Sequence, residues 1–217
     1  KTTAAAVTVV AIRKVTSDGV VTTYAGIAGV FGAANGVGSA ARFNRMGQLM
    51  RDGDFLYIPE TGYGTIRKID LTTGEVSEFV GTAGIRSNID GIGSAASFNT
   101  VSGLALNSAT GDYYATDSNT HTIRKITPAG AVTTIAGMPG APGSADGKGR
   151  DALFRAPASI AADTFGNLFV ADSGNNTIRK IAPDGTVSTV AGTAGTSGSA
   201  DANGALARFN NPIGIVA

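Results

Sequence analysis

The chain has no cysteine and no tryptophan, a single histidine, and only 15% charged and 6% aromatic residues among 217. Without cysteine there is no disulfide framework and no thiolate metal site, and either redox compartment remains open. His121 alone falls short of the three protein ligands that catalytic zinc usually takes. Lysine and arginine (17) nearly balance aspartate and glutamate (16), for a formal net charge of +1. That balance argues against nucleic acid, which needs a concentrated basic surface. No apolar run approaches the roughly 20 residues of a spanning helix, so no membrane span is expected. The stretch before Val10 has no basic region followed by a long apolar one, which makes it a poor signal peptide.

Glycine is plentiful, with 31 residues, as a fold with many tight turns requires. The chain also repeats itself. Ile12, Ile66, Ile123 and Ile178 open four Ile-Arg-Lys copies spaced 54, 57 and 55 apart. Phe43, Phe98, Phe154 and Phe209 keep the same phase, spaced 55, 56 and 55. The steps Ala25-Gly26, Val80-Gly81, Ala136-Gly137 and Ala191-Gly192 are a third marker. One period contains four short apolar or Thr/Val-rich runs: Ser159–Ala162, Asn167–Asp172, Thr177–Ile181 and Thr186–Ala191. Asn, Asp and Gly turns separate them, and no stretch keeps a helical period. Each period therefore reads as an antiparallel four-stranded meander, and a period of this size predicts propeller blades.

The pattern "GSADG…ARFNNP.GI…GNLFVADSGNNTIRKI.PDGTVSTVAG" resembles NHL repeats, a β-propeller family, over nearly the whole chain. NHL propellers are more often six-bladed, whereas four copies are present here. Some relatives of that family are zinc-dependent lyases, but their histidines have no counterparts in this sequence. A lactonase-like propeller would need acids around the central channel. The channel-facing candidates Gln48, Gly103, Ser159 and Gly214 include none, and Arg51 is the sole charge in the innermost runs. Ser159 has no partner histidine, so a Ser-His-Asp triad is not expected.

In phase, the chain stops at the end of a first strand and starts where a second strand belongs. The expected fold is an all-β, four-bladed propeller of four-stranded antiparallel blades, closed by the C-terminal strand. It forms a single domain over 1–217, with repeats at about 1–26 plus 205–217, 27–81, 82–137 and 138–192. Closure of this kind would remove exposed strand edges. The first repeat departs from the pattern, because Val9 and Val10 fall where the others have turn residues. Lys1–Val15 then reads as one strand of about 45–50 Å, too long for a blade. One expectation is that the front of this strand, with Thr2, Ala4, Ala6, Thr8 and Val10, pairs with a neighbouring chain, giving rings or filaments. The other is that it is a local second strand with a tight turn.

Three acid–arginine pairs recur in phase: Glu60 with Arg67, Asp117 with Arg124, and Asp172 with Arg179, seven residues apart in each case. They are expected to be cross-strand staples of the blades. Arg13 has Ala6 at the matching position. Asn35, Asp90, Asp146 and Asp201 recur in the connecting loops. Calcium wants six to eight oxygens, and about one acid per loop is better explained by Asx turns. No cofactor or metal is expected, and no glycine-rich stretch has the phosphate-loop pattern. The sequence thus points to a non-enzymatic, extracellular or surface-displayed structural module that self-associates. The alternative is a monomeric propeller holding a peptide or glycan, with a protein or glycan partner.

Overall fold

The computed structural model describes residues 2–8 and 10–217, with side chains described from Val10 onward. Among the described residues the protein is all-β, with four antiparallel sheets following one another along the chain. The first sheet has β1 (Thr2–Thr8), β2 (Ala11–Thr16) and β3 (Val21–Gly26), in that order. The second holds β4 (Gly36–Val37), β5 (Met50–Asp52), β6 (Phe55–Glu60), β7 (Thr65–Asp70) and β8 (Glu75–Val80). The third holds β9 (Gly91–Ile92), β10 (Val101–Asn107), β11 (Asp112–Asp117), β12 (Thr122–Ile126) and β13 (Ala131–Ala136). The fourth holds β14 (Gly147–Lys148), β15 (Pro157–Ala162), β16 (Leu168–Asp172), β17 (Thr177–Ile181) and β18 (Thr186–Ala191). Each full sheet is the expected four-strand meander plus one two-residue strand on its outer edge, as where Gly147 pairs Val187. Two residues are too few to show a period in sequence.

β7 and β12 carry buried residues on both faces. In β7, Ile66 enters one apolar cluster, and Ile69 enters another from the opposite face, which also carries the fully buried Arg67. Phe43, Phe98 and Phe154 have no exposed surface and fill the space between consecutive sheets. The innermost strands approach closely. A Cβ on Gly103 would lie 2.7 Å from Ser159 Cα and 3.0 Å from Ala158 O. These are backbone atoms of the next sheet and cannot swing aside. Gly103→Ala is therefore expected to cost about 1–3 kcal/mol by overpacking. A urea melt with a lower midpoint and unchanged slope would register it.

Two expectations are corrected here. Lys1–Val15 is not one long strand. The chain reverses after Thr8, and β1 pairs antiparallel with β2, with Thr8 opposite Ala11, Ala6 opposite Arg13, Ala4 opposite Val15 and Thr2 opposite Thr16. Local pairing satisfies backbone groups that a free strand would leave to solvent. Val10 is only 1% exposed, and its carbonyl lies 2.5 Å from where a Gly26 Cβ would sit, so the apolar residue at the turn is used for burial. Lys1 and Val9 lie outside the described residues.

The second correction concerns closure by the C-terminal strand. Residues 210–217 form no strand, and Ile213 and Val216 are 72% and 89% exposed. The tail is tied to its own fourth sheet instead. Asn211 N–H donates to Asn176 Oδ1 at 2.8 Å, and the Ser173 hydroxyl donates to the Pro212 carbonyl.

Candidate functional site: the inter-sheet joints and the groove above them

A repeated joint holds each sheet to the next. In the third sheet, Arg124 donates through one terminal nitrogen to Ser97 O (3.1 Å). The other donates to Ile89 O (3.0 Å) and Asp90 Oδ1 (2.8 Å). Its guanidinium lies 4.9 Å from the centroid of the Phe98 ring. Arg179 repeats this arrangement on Leu153 O, Ala145 O and Asp146, 5.0 Å from Phe154. Arg67 does so on Arg42 O, Ala34 O and Asn35, 5.6 Å from Phe43. A buried arginine of one sheet thus clamps the loop and phenylalanine that lead into that sheet.

The paired acids sit beneath. Glu60–Arg67 is 3.4 Å, Asp117–Arg124 is 3.8 Å and Asp172–Arg179 is 3.0 Å, with all six side chains buried. Glu60 lies opposite Thr65, two residues from Arg67 along one face, so the pair is diagonal across the hairpin. Each acid also accepts from backbone: Glu60 from Asn44 N–H, Asp117 from Asn99 and Thr100, and Asp172 from Arg155. Burial pushes the Glu60 and Asp172 carboxyls above their usual range against the pull of their arginines.

The loop acids Asp90 and Asp146 behave oppositely. Partial burial pushes them up, but the Thr134 N–H and hydroxyl with Arg124 hold Asp90 below its usual range, and Thr189 with Arg179 does the same for Asp146. A lowered folded pKa gives stability that is present above the unfolded value and lost as pH falls through the folded one. Glu60 and Asp172, being raised, contribute stability that is present at low pH and lost as pH rises through their folded values. Asp90→Asn is thus expected to flatten the acid limb below about pH 4 and leave the slope above it intact. Urea midpoints measured from about pH 2.5 to 6 would show this. Asn35, Asp90 and Asp146, expected from sequence to form Asx turns, instead turn their side chains to the arginines as partners. The signal lies in the near-constant spacing to Arg67, Arg124 and Arg179, which is 32, 34 and 33 residues.

Three of the four channel candidates come together. The Ser159 hydroxyl donates to Gln48 Oε1 at 3.0 Å, and Gly103 packs on the Ser159 backbone. Gly214 lies in the tail, where a Cβ would meet no atom within 4 Å. Arg51 Nε donates to Gly53 O at 2.9 Å in the β5–β6 turn. His121 Nδ1 accepts from Ala156 N–H at 3.1 Å between the third and fourth sheets. Among the described residues, no group of three or more His, Asp or Glu is placed to hold a metal, and no helix is long and apolar enough to cross a membrane.

Above the joints of the second and third sheets lies an open groove of about 540 Å³. Phe31, Asn44, Arg45, Thr61, Gly62, Arg86, Thr100 and Asn119 line it. Its floor rests on the buried acids, since Glu60 and Asp117 hold the Asn44, Asn99 and Thr100 amides. Arg86 is aimed by bonds to Asn99 O (2.8 Å) and the Thr100 hydroxyl (2.7 Å). Arg45 has a left-handed backbone (φ 46°), a strained state for a long side chain. It is held there because its carbonyl accepts both the N–H (2.8 Å) and the hydroxyl (2.7 Å) of Thr61. Its guanidinium is exposed and has no hydrogen bond or ion pair among the described residues. Two cations, two amides, two hydroxyls and the half-exposed ring of Phe31 are equipped to hold a polar, negatively charged ligand. Sequence reasoning missed this groove because Phe31, Arg45, Arg86 and Asn119 do not recur in phase.

No family model matches the chain. It is 35% identical over 133 residues to the protein Suppressor of Quenching 1, chloroplastic, of Arabidopsis thaliana, covering 58% of this chain and 12% of that protein. Among solved structures it is similar to a Bacteroides thetaiotaomicron protein of unknown function, with a TM-score of 0.67, 22% identity, and coverage of 95% of this chain and 59% of that one. It is also similar to an auxiliary nutrient binding protein of the same organism, with a TM-score of 0.67, 22% identity, and coverage of 94% and 47%. A streptogramin B lyase aligns at a TM-score of 0.53 and 19% identity, over 82% of this chain and 47% of that one. The chain spans about half the length of these solved structures and about an eighth of the curated relative. At these identities the likeness speaks to architecture: the four antiparallel sheets have a β-propeller-like fold.

Proposed function

We propose that the chain is a non-enzymatic binding module of consecutive propeller blades, secreted or surface-displayed, that holds an acidic glycan in the groove between its second and third repeats. The observation that carries this reading is the convergence of Arg45 and Arg86 on a groove beside the exposed face of Phe31. Arginine forks suit carboxylates, and a flat ring offers an apolar surface to a sugar. The Ser159 hydroxyl is committed to Gln48 and His121 Nδ1 to a backbone amide, so neither is poised as nucleophile or base.

Titration calorimetry with a uronate oligosaccharide tests the reading. Arg45→Ala and Arg86→Ala are each expected to weaken binding about tenfold or more, since a hydrogen bond to a charged group contributes about 1.5–3 kcal/mol. Binding should also fall with added salt. Affinity indifferent to both arginines would overturn the assignment, and tighter binding of an acidic peptide would replace the glycan.

A further inference from the structure

We infer that the end of the molecule that carries the groove docks on an anionic lipid membrane, seating apolar turn tips and exposed arginines among its headgroups. The two ends of the sheets differ in charge. At the far end, segments 16–20, 52–54, 70–74, 107–112, 163–167 and 182–185 each carry an acid and no lysine or arginine. Lysines of the adjoining strands reach some of these acids, as Lys125 reaches Asp112 at 2.6 Å. At the groove end, segments 27–32, 44–45, 61–64, 82–88, 99–100, 118–121, 138–143, 155–156 and 173–176 contain no Asp or Glu. The acids nearest them, Glu60, Asp117 and Asp172, have no exposed surface.

Three arginines are exposed at that acid-free end: Arg45, Arg86 and Arg155. Arg86 is aimed by Asn99 and Thr100 through Nε and one terminal nitrogen. Arg155 is anchored by its backbone, since its N–H is held by Asp172, and its side chain lies against Gly174, where a Cβ would sit 2.7 Å from Arg155 Cγ. The Arg155 guanidinium has no hydrogen bond or ion pair among the described residues.

Apolar tips stand between these cations. The first three sheets each exit through one tight turn, closed by Val30 N–H to Ile27 O (3.1 Å), Ile85 N–H to Thr82 O (3.0 Å) and Ala141 N–H to Met138 O (3.0 Å). Gly29, Gly84 and Gly140 take the left-handed position of each turn, with φ of 80°, 85° and 76°. A Cβ on any of them would meet no atom within 4 Å, so the turns project clear of their neighbours. They present Val30, Phe31, Ile85 and Met138, each about half exposed. Gly84 N–H bonds Tyr63 O and Gly140 N–H bonds Thr120 O, both at 3.2 Å, which sets the tips beside the hairpin turns of the groove end. Single apolar side chains on separate turns, with arginines between them, offer a protein partner no continuous surface to pack on. A headgroup layer accepts such separate insertions, and apolar burial and attraction to anionic lipid then act together. Arginine forks suit lipid phosphates, and the acidic far end is repelled by the same surface, which orients the molecule. Ile85, Met138 and Arg155 lie outside the lining of the groove, so this contact goes beyond the glycan reading.

Flotation of the full chain with lipid vesicles tests this. Phosphatidylcholine vesicles containing about 30 mol% phosphatidylglycerol are expected to carry the protein at low salt, and phosphatidylcholine alone to leave it behind. Salt at about 0.5 M is expected to weaken recovery on the anionic vesicles several-fold. Arg155→Glu and Ile85→Asp are each expected to lower the partition constant about fivefold or more. Phe165→Asp is the control: that ring is 82% exposed but sits in a far-end turn, so the variant is expected to partition like wild type. All three substitutions are at exposed positions, and far-UV circular dichroism on each variant separates lost docking from lost fold. Equal recovery on neutral and anionic vesicles, recovery on neither, or equal losses from Ile85→Asp and Phe165→Asp would overturn the proposal. Capture of a polyglutamate peptide without vesicle binding would make this end a site for an acidic protein and equally overturn the lipid assignment. Glycan titration reads Arg45 and Arg86, so failure of that reading is visible independently.

Discussion

Arg124→Ala is expected to destabilise the protein by about 3–5 kcal/mol, the cost of breaking a buried ion pair by removing one partner. The side chain is fully buried, and its loss strands Asp117, also fully buried, and takes away the guanidinium bonds to the Ser97 and Ile89 carbonyls, which keep only their mutual backbone bonds. Asp117 keeps the Asn99 and Thr100 amides but no longer has a counter-charge within 4 Å. The in-phase Arg13→Ala is the control. It removes a guanidinium with no hydrogen bond or ion pair among the described residues, so it is expected to cost under about 1 kcal/mol. Urea melts of the two variants, read at equal slope, give the comparison. Equal losses would mean that the joint bonds contribute little.

Phe98→Ala is expected to cost about 3–5 kcal/mol, from lost burial and the cavity left between sheets two and three. Phe98 packs in a cluster with Ile66, Val80, Val101 and Ala115, and its carbonyl abuts Gly64, so the surrounding backbone is poorly placed to collapse into the space. The two losses should not add. The guanidinium of Arg124 lies over the Phe98 ring, and a desolvated cation–π contact contributes about 2 kcal/mol. The double variant is therefore expected to be about 1–2 kcal/mol less destabilised than the sum of the singles. A loss under about 1 kcal/mol for Phe98→Ala alone would contradict its placement between the sheets.

The repeat was legible because its markers are local and periodic. Ile66, Ile123 and Ile178, the phenylalanines, and the acid–arginine pairs all recur within one strand hairpin or at one fixed offset. What escaped sequence reading depends on chain segments meeting at a distance. Asp90 finds Arg124 only because its loop folds back over the outer strand, and its spacing resembles an ordinary turn when read alone. The groove draws Arg45, Arg86 and Asn119 from three unrelated loops. Phase placed Gly214–Ala217 as an inner strand, but phase carries no information on which edge is within reach, and the tail bonds Ser173 and Asn176 instead. At the N-terminus the structure takes the local second strand with a tight turn and not the single long strand. Val10 reads as strand by composition, yet lies outside β2, buried against Gly26 beyond a hairpin shorter than the polar turns of the other repeats.

Native-state amide hydrogen exchange tests most directly the claim that successive sheets are locked by the three arginine joints. The amides of Asn99, Thr100 and Arg155, each held by a buried acid of a completed joint, are predicted to exchange only through near-global opening, and the in-phase Asn210 to exchange almost freely. Exchange at Asn99, Thr100 and Arg155 as fast as at Asn210 would contradict the account.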